Sequence, residues 1–316
     1  MAKKILLSGV KPTGRPHIGN YFGAMKQFVE LQGKYECYIF IADLHALTTV
    51  QNKEELEENT AGVLLDYMAI GLDPKKVTLY KQSDVPQVAE LAWIFNCLTT
   101  VPYLERAHAY KDAVMNKKEP NVGLFDYPML MAADILIQDA DVVPVGQDQK
   151  QHIEIARDTA QKFNNAFGEC FKLPEPLILG AMATIPGTDG KKMSKSYNNT
   201  IPLFGSDEEI EKAIMGIVTD SGSDMPTNVY AIHSLLRAKD ELDRLYAANR
   251  GQYEKLKEIL IEDMKNFIRP MRERRQALEK DKQAVLEVLK SGGKVARERA
   301  EKKMEEVRKL VGLKLY

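Results

Sequence analysis

The chain has 316 residues, of which 44% are hydrophobic and 28% are charged, and its formal net charge is −1 at pH 7. These values are ordinary for a soluble globular protein with one large domain or two smaller ones. No apolar run is long enough to cross a bilayer, and the one near the N terminus is too short for a signal peptide, so we expect a cytoplasmic protein with no membrane partner. The three cysteines lack metal-binding or disulfide spacing and are expected to be buried reduced thiols.

The first two thirds of the chain alternate between strand-like and helix-like segments. Buried strands are predicted at 3–10, 37–48, 76–83, 141–146 and 179–186. Helices with apolar residues at helical spacing are predicted at 19–35, 52–72, 85–98, 124–140 and 147–164. Such alternation is typical of an α/β fold with a doubly wound parallel (Rossmann-like) sheet. Within it, we expect Trp93 to be a core aromatic residue.

The pattern after residue 199 is helical throughout. Helices are predicted at 206–220, where Ser206 caps an acidic first turn, and then at 228–248, 252–268 and 269–289, with a last charged helix after 291–294. We therefore expect a Rossmann-like domain at 1–200 followed by an all-helical domain at 201–316.

Charge is distributed unevenly between these parts. Residues 237–316 hold 22 Lys and Arg against 15 Asp and Glu, a surplus of +7, whereas residues 1–236 carry a net charge of −8. The surplus indicates either a solvated helical face or a surface that meets a polyanion such as nucleic acid. On charge alone, the solvated face is the simpler interpretation.

A glycine-bearing loop, "PTGRPHIGN" at 12–20, joins the first predicted strand to the first helix. The carboxyl end of a strand and the N terminus of a helix meet there, and the free N–H groups of the helix suit a phosphate. The spacing matches neither a dinucleotide fingerprint nor a P-loop. The structural alternative is a tight turn at Gly14 and Gly19 with His17 as a bystander.

A second glycine-bearing loop, "GTDGKKMSKSYNN" at 187–199, contains the three lysines Lys191, Lys192 and Lys195. Lysines among small residues can close over a triphosphate as mobile point charges. Taken alone, the loop is equally consistent with a solvated basic segment.

The two loops together resemble the paired signatures of class I aminoacyl-tRNA synthetases. The His-Ile-Gly-His signature corresponds to "HIGN", with Asn20 in the last place, and the Lys-Met-Ser-Lys-Ser signature is intact at 192–196. The stretches "SGVKPTGRPHIGNYFGA", "IADLHALT", "LMAADIL", "VPVGQDQKQHIE" and "VTDS" extend the resemblance over 6–312. They are most similar to the bacterial tryptophanyl-tRNA synthetase family, since the tyrosyl family shares the fold but not "LMAADIL" followed by "VPVGQDQKQH".

The resemblance implies an enzyme that activates L-tryptophan with ATP and transfers it to the 3′ end of tRNA(Trp). It implies Mg²⁺ held mainly by the ATP phosphates and no protein metal site. It also implies a homodimer whose interface lies in an inserted helical segment at about 100–140. The helical domain would bind the anticodon, and its last helix would pack back on the catalytic domain.

The resemblance also assigns the nucleotide site. It implies catalytic roles for Lys192, Lys195 and His17. The residues that it places around ATP are Lys11, Pro12, Thr13, His17, Gly19, Asn20, Gly146, Gln147, Asp148, Ile185, Lys192, Met193, Ser194, Lys195 and Ser196. At two positions this chain departs from the family, so the roles of the family's residues transfer less directly there. Some relatives have glutamine in place of Lys11, and Ala113 stands where relatives often have a lysine.

The tryptophan pocket is the other implied site. Tyr127, Met131 and Asp134 have helical spacings that place them on one face. In the family interpretation Asp134 accepts the indole N–H, whereas in the structural alternative it caps a neighbour of a core helix. The other residues implied for tryptophan are Leu7, His45, Val143, Val145 and Gln149. His45 is equally consistent with pocket lining and with a core histidine.

Two rival functions remain open from the sequence. One is a tyrosine-activating synthetase on the same fold. The other is a non-catalytic paralogue that binds nucleotide or RNA, against which the intact 192–196 signature argues.

Overall fold

The computed structural model describes residues 3–116, 119–146, 150–178, 185–219 and 225–315. Its centre is a parallel sheet of five strands in the order β3-β2-β1-β4-β5. The strands are β1 Ile5–Val10, β2 Glu36–Ile41, β3 Val77–Lys81, β4 Val142–Val145 and β5 Glu175–Ile178. The order reverses between β1 and β4, which is the switch point where open α/β sheets bind ligands. The predicted Rossmann-like fold class is therefore confirmed.

Helices cover both faces of the sheet. They are α1 Ile18–Asn20, α2 Lys26–Leu31, α3 Asp43–Ala46, α4 Lys53–Ala69, α5 Gln87–Leu98, α6 Val101–Leu104, α7 His108–Met115, α8 Val122–Ile137 and α9 Lys150–Phe167. A π-helical turn, Tyr21–Met25, joins α1 to α2, and 3-10 turns occupy Gln82–Asp84 and Lys195–Tyr197. In the described ranges, no helix combines the length and apolar character that crossing a bilayer requires.

The helical C-terminal region follows the sheet. It comprises α10 Asp207–Met215, α11 Thr227–His233, α12 Lys239–Ala248, α13 Tyr253–Glu279 and α14 Lys282–Leu310. Ser206 caps α10 as predicted: its hydroxyl accepts from the Glu209 N–H, and the Glu209 carboxylate accepts from the Ser206 N–H.

Two helix ends expected from the sequence are absent. α13 continues through Pro270, and α14 continues through Gly292 and Gly293, although proline and glycine usually end helices. α14 packs on β3, where a Cβ at Gly292 would lie 1.8 Å from the Leu79 carbonyl oxygen. The glycines thus allow close approach of α14 to the edge strand instead of forming a loop.

The hydrophobic core has two parts because alternate strand residues point to opposite faces. Leu6, Cys37 and Ile39 belong to one part, and Leu7 and Tyr38 belong to the other. The C-terminal helices contribute to both parts. Those contributions include Met264, Ile268, Val285 and Leu289 on the first, and Ala296, Ala300, Met304 and Val307 on the second.

Three local expectations were wrong, and a fourth falls mostly outside the described residues. The segment predicted as a strand at 37–48 turns into α3 after Ile41. The last described strand is Glu175–Ile178, and most of the strand predicted at 179–186 lies outside the described residues. Trp93 is 70% exposed on the outer face of α5. Of the cysteines, Cys37 is buried but Cys97 is exposed.

The close approach of α14 to β3 gives a stability prediction. We expect Gly292→Ala to lower the free energy of unfolding by about 1–3 kcal/mol, because a methyl group there must displace the Leu79 carbonyl. Gly62→Ala is the matched control, since Gly62 lies inside α4 with no atom within 4 Å of its Cβ. We expect that control to raise stability by about 0.5–1 kcal/mol, because alanine favours the helix. Urea unfolding followed by circular dichroism measures the free energy of unfolding of both variants. An equal change in the two variants would contradict the close contact between Gly292 and Leu79.

Candidate active site

A cleft of about 920 Å³ opens at the carboxyl ends of β1 and β4. β1 supplies Leu7 to its wall, and β4 supplies Val143 and Val145. α8 supplies Tyr127 and Asp134. The cleft therefore has an apolar interior at the switch point of the sheet, with polar groups entering from helices and loops.

The loop between β1 and α1 forms one side of the cleft mouth. The His17 backbone N–H donates to Asn20 Oδ1 over 3.0 Å, which holds the Asn20 side chain at the start of α1 and leaves its Nδ2 group to donate. A Cβ at Gly19 would lie 2.8 Å from His17 Nδ1, so glycine is required for the ring to lie against the backbone.

His17 is buried in this loop, and its Nδ1 has no hydrogen-bond partner among the described residues. Burial, with a smaller contribution from the Lys195 charge, lowers the pKa of His17 to about 4. The ring is therefore neutral at pH 7 and can act on a phosphate as a hydrogen-bonding group without adding a charge.

Backbone pairing connects the two signature loops. The Ile18 N–H donates to the Ile201 carbonyl over 3.0 Å, and the Leu203 N–H donates to the Pro16 carbonyl over 3.0 Å. The chain that leaves the lysine-bearing loop therefore runs beside the histidine-bearing loop, so the two loops, far apart in sequence, share one cleft mouth.

Asn199 organises the lysine-bearing loop from its buried position. Its Oδ1 accepts from the Ser194 N–H over 2.8 Å, and its Nδ2 donates to Asp189 Oδ1 over 2.6 Å and to the Lys192 carbonyl over 3.1 Å. The Met193 N–H donates to the Ile185 carbonyl over 2.9 Å. These bonds hold the backbone between the two lysines in place.

Lys195 bridges the two loops, because its Nζ donates to the Thr13 carbonyl oxygen over 2.6 Å. Desolvation at the cleft mouth lowers the pKa of Lys195, and the Asp66 carboxylate opposes that change. Lys11 lies at the same mouth and donates to Thr48 Oγ1 over 3.3 Å, and burial lowers its pKa. The mouth therefore concentrates cations that suit a polyanionic ligand.

Asp134 lies at the apolar end of the cleft and is 3% exposed. Gln82 Nε2 donates to its Oδ2 over 2.8 Å, and His45 Nε2 lies 3.2 Å from the same oxygen. Burial raises the pKa of Asp134, while the bonds from His45 and Gln82 oppose that rise. Both bonds end on Oδ2, and no described residue bonds to Oδ1, which can therefore accept an N–H from a ligand.

The structure brings most of the predicted site residues to this one cleft. The residues that line it are Leu7, Lys11, Thr13, Gly19, Asn20, His45, Tyr127, Met131, Asp134, Val143, Val145, Gly146, Lys192 and Lys195. His45 contacts Asp134 directly, which favours pocket lining over the core alternative.

Other predicted residues support the cleft without lining it. Pro12 and His17 are buried in the first loop, and Ile185 and Met193 pack in the core beneath the second loop. Ser194 and Ser196 bond to each other through their hydroxyls at 2.9 Å. Gln147, Asp148 and Gln149 lie outside the described residues, so their predicted contacts have no structural account.

Sequence reasoning missed two residues that the structure places at the apolar end. Gln82 is fully buried and holds Asp134, and His152 lines the cleft with its Nε2 3.3 Å from the Tyr127 hydroxyl. The position of Gln82 directly after β3 was the available signal, because polar residues at the carboxyl ends of parallel strands face the ligand.

The fold and the two lysine- and histidine-bearing loops define a class I aminoacyl-tRNA synthetase. The family model "tRNA synthetases class I (W and Y)" matches residues 2–301, and the chain belongs to this family.

Two curated relatives and one solved structure are close in sequence to this chain. The Fusobacterium nucleatum protein called tryptophan–tRNA ligase is 49% identical over 317 residues, with 97% of each chain covered. The Rhodopirellula baltica protein of the same name is 46% identical, with 98% of this chain and 99% of that one covered. A solved tryptophanyl-tRNA synthetase from Campylobacter jejuni, complexed with ADP and tryptophan, is 41% identical and superimposes with a TM-score of 0.92 over 98% of this chain and 99% of that one.

Proposed function

We propose that the enzyme activates L-tryptophan with ATP and charges tRNA(Trp). In the first step a tryptophan carboxylate oxygen attacks the α-phosphorus, the bond between that phosphorus and the bridging oxygen breaks, and pyrophosphate leaves. In the second step a ribose hydroxyl at the 3′ end of tRNA attacks the tryptophanyl carbonyl and loses its proton, and AMP leaves with the electron pair of the broken acyl bond. The observation that carries the proposal is one cleft that contains both a buried hydrogen-bond acceptor, Asp134, and the two lysines Lys192 and Lys195.

The first step needs no protein nucleophile, since the substrate carboxylate attacks. It needs alignment of the reactants and stabilisation of the charge that grows on the phosphates. We assign the charge stabilisation to Lys192 and Lys195, with His17 and Asn20 as hydrogen-bond donors to ATP. Gly14 and Gly19 leave room for the phosphates to approach the backbone.

Mg²⁺ would enter with the nucleotide. No three His, Cys, Asp or Glu side chains are grouped to hold a metal ion in the described part of the chain. Mg²⁺ commonly binds substrate phosphates with few protein ligands, so the ATP phosphates are the proposed ligands. The ion would supply further neutralisation of charge on the leaving pyrophosphate.

Tryptophan is favoured over tyrosine as the amino-acid substrate by the chemistry of the apolar end and by the names of the relatives. Aminoacylation of a tRNA(Trp) transcript with ATP and Mg²⁺, run in parallel with tryptophan and with tyrosine, tests this choice. Charging with tryptophan alone is the expected result. Charging with tyrosine, or no charging at all, would overturn the proposal.

The helical region at 201–316 is the proposed anticodon-binding part. The surplus of +7 from residue 237 onward lies on these helices, and counterion release makes phosphate-driven binding weaken with salt. We therefore expect the Kd for tRNA(Trp) to rise at least about tenfold between 50 and 200 mM salt. Filter binding at several salt concentrations measures this, and a salt-independent Kd would contradict the assignment.

A cytoplasmic homodimer is the proposed working form. Exposed apolar side chains occur on neighbouring helices of the inserted segment: Val101, Val114, Met115 and Val122 are each more than half exposed. Exposed apolar patches of this kind mark protein–protein contacts. Sedimentation equilibrium gives the oligomeric state, and a monomer at micromolar concentration would rule the dimer out.

A further inference from the structure

The turn that follows β3 carries a buried glutamine beside the cleft. Gln82 begins the 3-10 turn Gln82–Asp84, is 0% exposed and does not line the cleft itself. A buried amide is costly to keep unless its polar atoms are hydrogen-bonded, so the partners of Gln82 show what its position serves.

Both ends of the Gln82 amide are bonded. Its Nε2 donates to Asp134 Oδ2 over 2.8 Å, and its Oε1 accepts from the His45 backbone N–H over 3.2 Å. Because a backbone N–H can only donate, it fixes the carbonyl end of the amide toward α3 and the NH2 end toward Asp134. The fold therefore sets the orientation of this amide, and Gln82 acts on Asp134 as a donor.

A second contact holds α3 and the turn together. The carboxylate of Asp43, which is buried at the start of α3, accepts from the Ser83 N–H through Oδ1 over 3.0 Å and from the Ser83 hydroxyl through Oδ2 over 2.5 Å. α3 supplies His45 and the turn supplies Gln82, so these two partners of Asp134 belong to one braced unit.

Gln82 is the more constant of the two partners of Asp134. An amide nitrogen always donates, whereas a histidine ring nitrogen donates or accepts according to its tautomer. A bond donated to a carboxylate favours its charged form, and the bonds from His45 and Gln82 oppose the rise that burial gives to the pKa of Asp134. Loss of the amide would favour protonation of this buried acid and would leave its Oδ2 with one partner fewer. In either case Oδ1 would be a poorer acceptor.

We propose that Gln82 is a positioning residue for tryptophan selectivity: its amide holds Asp134 by Oδ2, so that Oδ1 meets the indole N–H. Gln82 does not contact the amino acid, and its whole effect on selectivity passes through Asp134. The inference rests on the proposed function, because it concerns how the site recognises tryptophan. The structural alternative is that Gln82 only ties the turn after β3 to α8.

Gln82→Met is the test variant, because methionine has a similar length and cannot donate. We expect kcat/KM for tryptophan in pyrophosphate exchange to fall about tenfold, as for the loss of one hydrogen bond to a charged group. In the Asp134→Ala background the same change should have less than about a twofold effect, because its target is gone. The KM for ATP should stay unchanged.

A tryptophan analogue separates positioning from pocket shape. In 3-benzothienyl-L-alanine a sulfur atom replaces the indole N–H, so the ring keeps its shape but has nothing to donate to Asp134. Its inhibition constant against tryptophan should not rise in Gln82→Met. If that variant does not fold, Gln82→Asn takes its place: it keeps a buried amide but is one methylene too short to hold both partners, and the same selective loss is expected.

Gln138→Met is the matched control. Gln138 directly follows α8, is also 0% exposed and lies outside the cleft lining, and its Nε2 donates to the Ala296 carbonyl over 3.2 Å. Its loss removes a buried amide of the same kind that has no bond to Asp134. We expect a lower Tm and a kcat/KM for tryptophan within about twofold of wild type, measured where the variant is folded.

The results decide between positioning and structure. A loss that is specific for tryptophan, vanishes in the Asp134→Ala background and is missing from Gln138→Met supports the proposal. Equal weakening of tryptophan and the analogue, equal losses in both backgrounds, or failure of both Gln82 variants to fold would show a structural role and overturn it. Wild-type exchange is run in the same assay: its absence would overturn the proposed function as well, whereas normal wild-type exchange with unselective variants overturns this inference alone.

Discussion

Lys195→Ala is expected to lower the rate of tryptophan-dependent pyrophosphate exchange by about a hundredfold, or about 3 kcal/mol of transition-state stabilisation. In the resting enzyme the ammonium donates to the Thr13 carbonyl, a neutral partner that a phosphate oxygen would replace. Its strongest interaction is therefore expected with the charge that develops on the phosphates during transfer, so kcat should fall far more than tryptophan affinity.

Lys191→Ala is the matched control for Lys195→Ala. Lys191 lies in the same loop and carries the same charge, but it does not line the cleft. Its loss should leave the exchange rate within about a factor of two, as expected for a surface charge. An unchanged rate for Lys195→Ala, or equal losses for both lysines, would remove Lys195 from the mechanism.

Asp134→Ala is expected to lower kcat/KM for tryptophan by about 2–4 kcal/mol in transition-state terms. Phenylalanine fits an apolar slot, but it has no N–H for Asp134 Oδ1 and would leave a buried acid without a ligand partner. A site built to bond a substrate N–H rejects analogues that lack it more strongly than shape alone allows. The variant should therefore also narrow the preference for tryptophan over phenylalanine, with little change in ATP affinity.

Asp126→Ala provides the comparison for Asp134→Ala, because Asp126 is an acid on the same helix that bonds Asn96 Nδ2 over 2.8 Å and lies outside the cleft. It should keep the full preference for tryptophan. If Asp134→Ala instead lost ATP binding and kept its selectivity, Asp134 would belong to the nucleotide site or the scaffold, and the indole assignment would be wrong.

The fold could be predicted because its signal is local. The alternation of strand-like apolar runs with segments of helical spacing identified the parallel sheet, and the Ser206 cap identified the start of α10. The errors came where tertiary packing overrides local preference. Pro270 and Gly292 read as helix ends, yet α13 and α14 continue through them, and Gly292 does so because only glycine permits the contact with Leu79.

The site could be predicted only in part. Motif residues such as His17 and Lys195 are recognisable from the residues next to them in the sequence. The spacing of Asp134 from Tyr127 places both on one helical face. Gln82 lies 52 residues along the chain from its partner Asp134, and no local pattern marks such a pair. Trp93 was predicted to lie in the core because it belongs to an apolar helix, but it lies on the exposed face of that helix.

The most direct test of the account is ATP–pyrophosphate exchange by the wild-type enzyme with each of the twenty amino acids in turn. The cleft contains a buried acceptor for an indole N–H and has lysines at its mouth. We therefore expect exchange that depends on tryptophan and is weak or absent with tyrosine and phenylalanine. Exchange that is strongest with tyrosine, or that proceeds equally with all three aromatic amino acids, would contradict it.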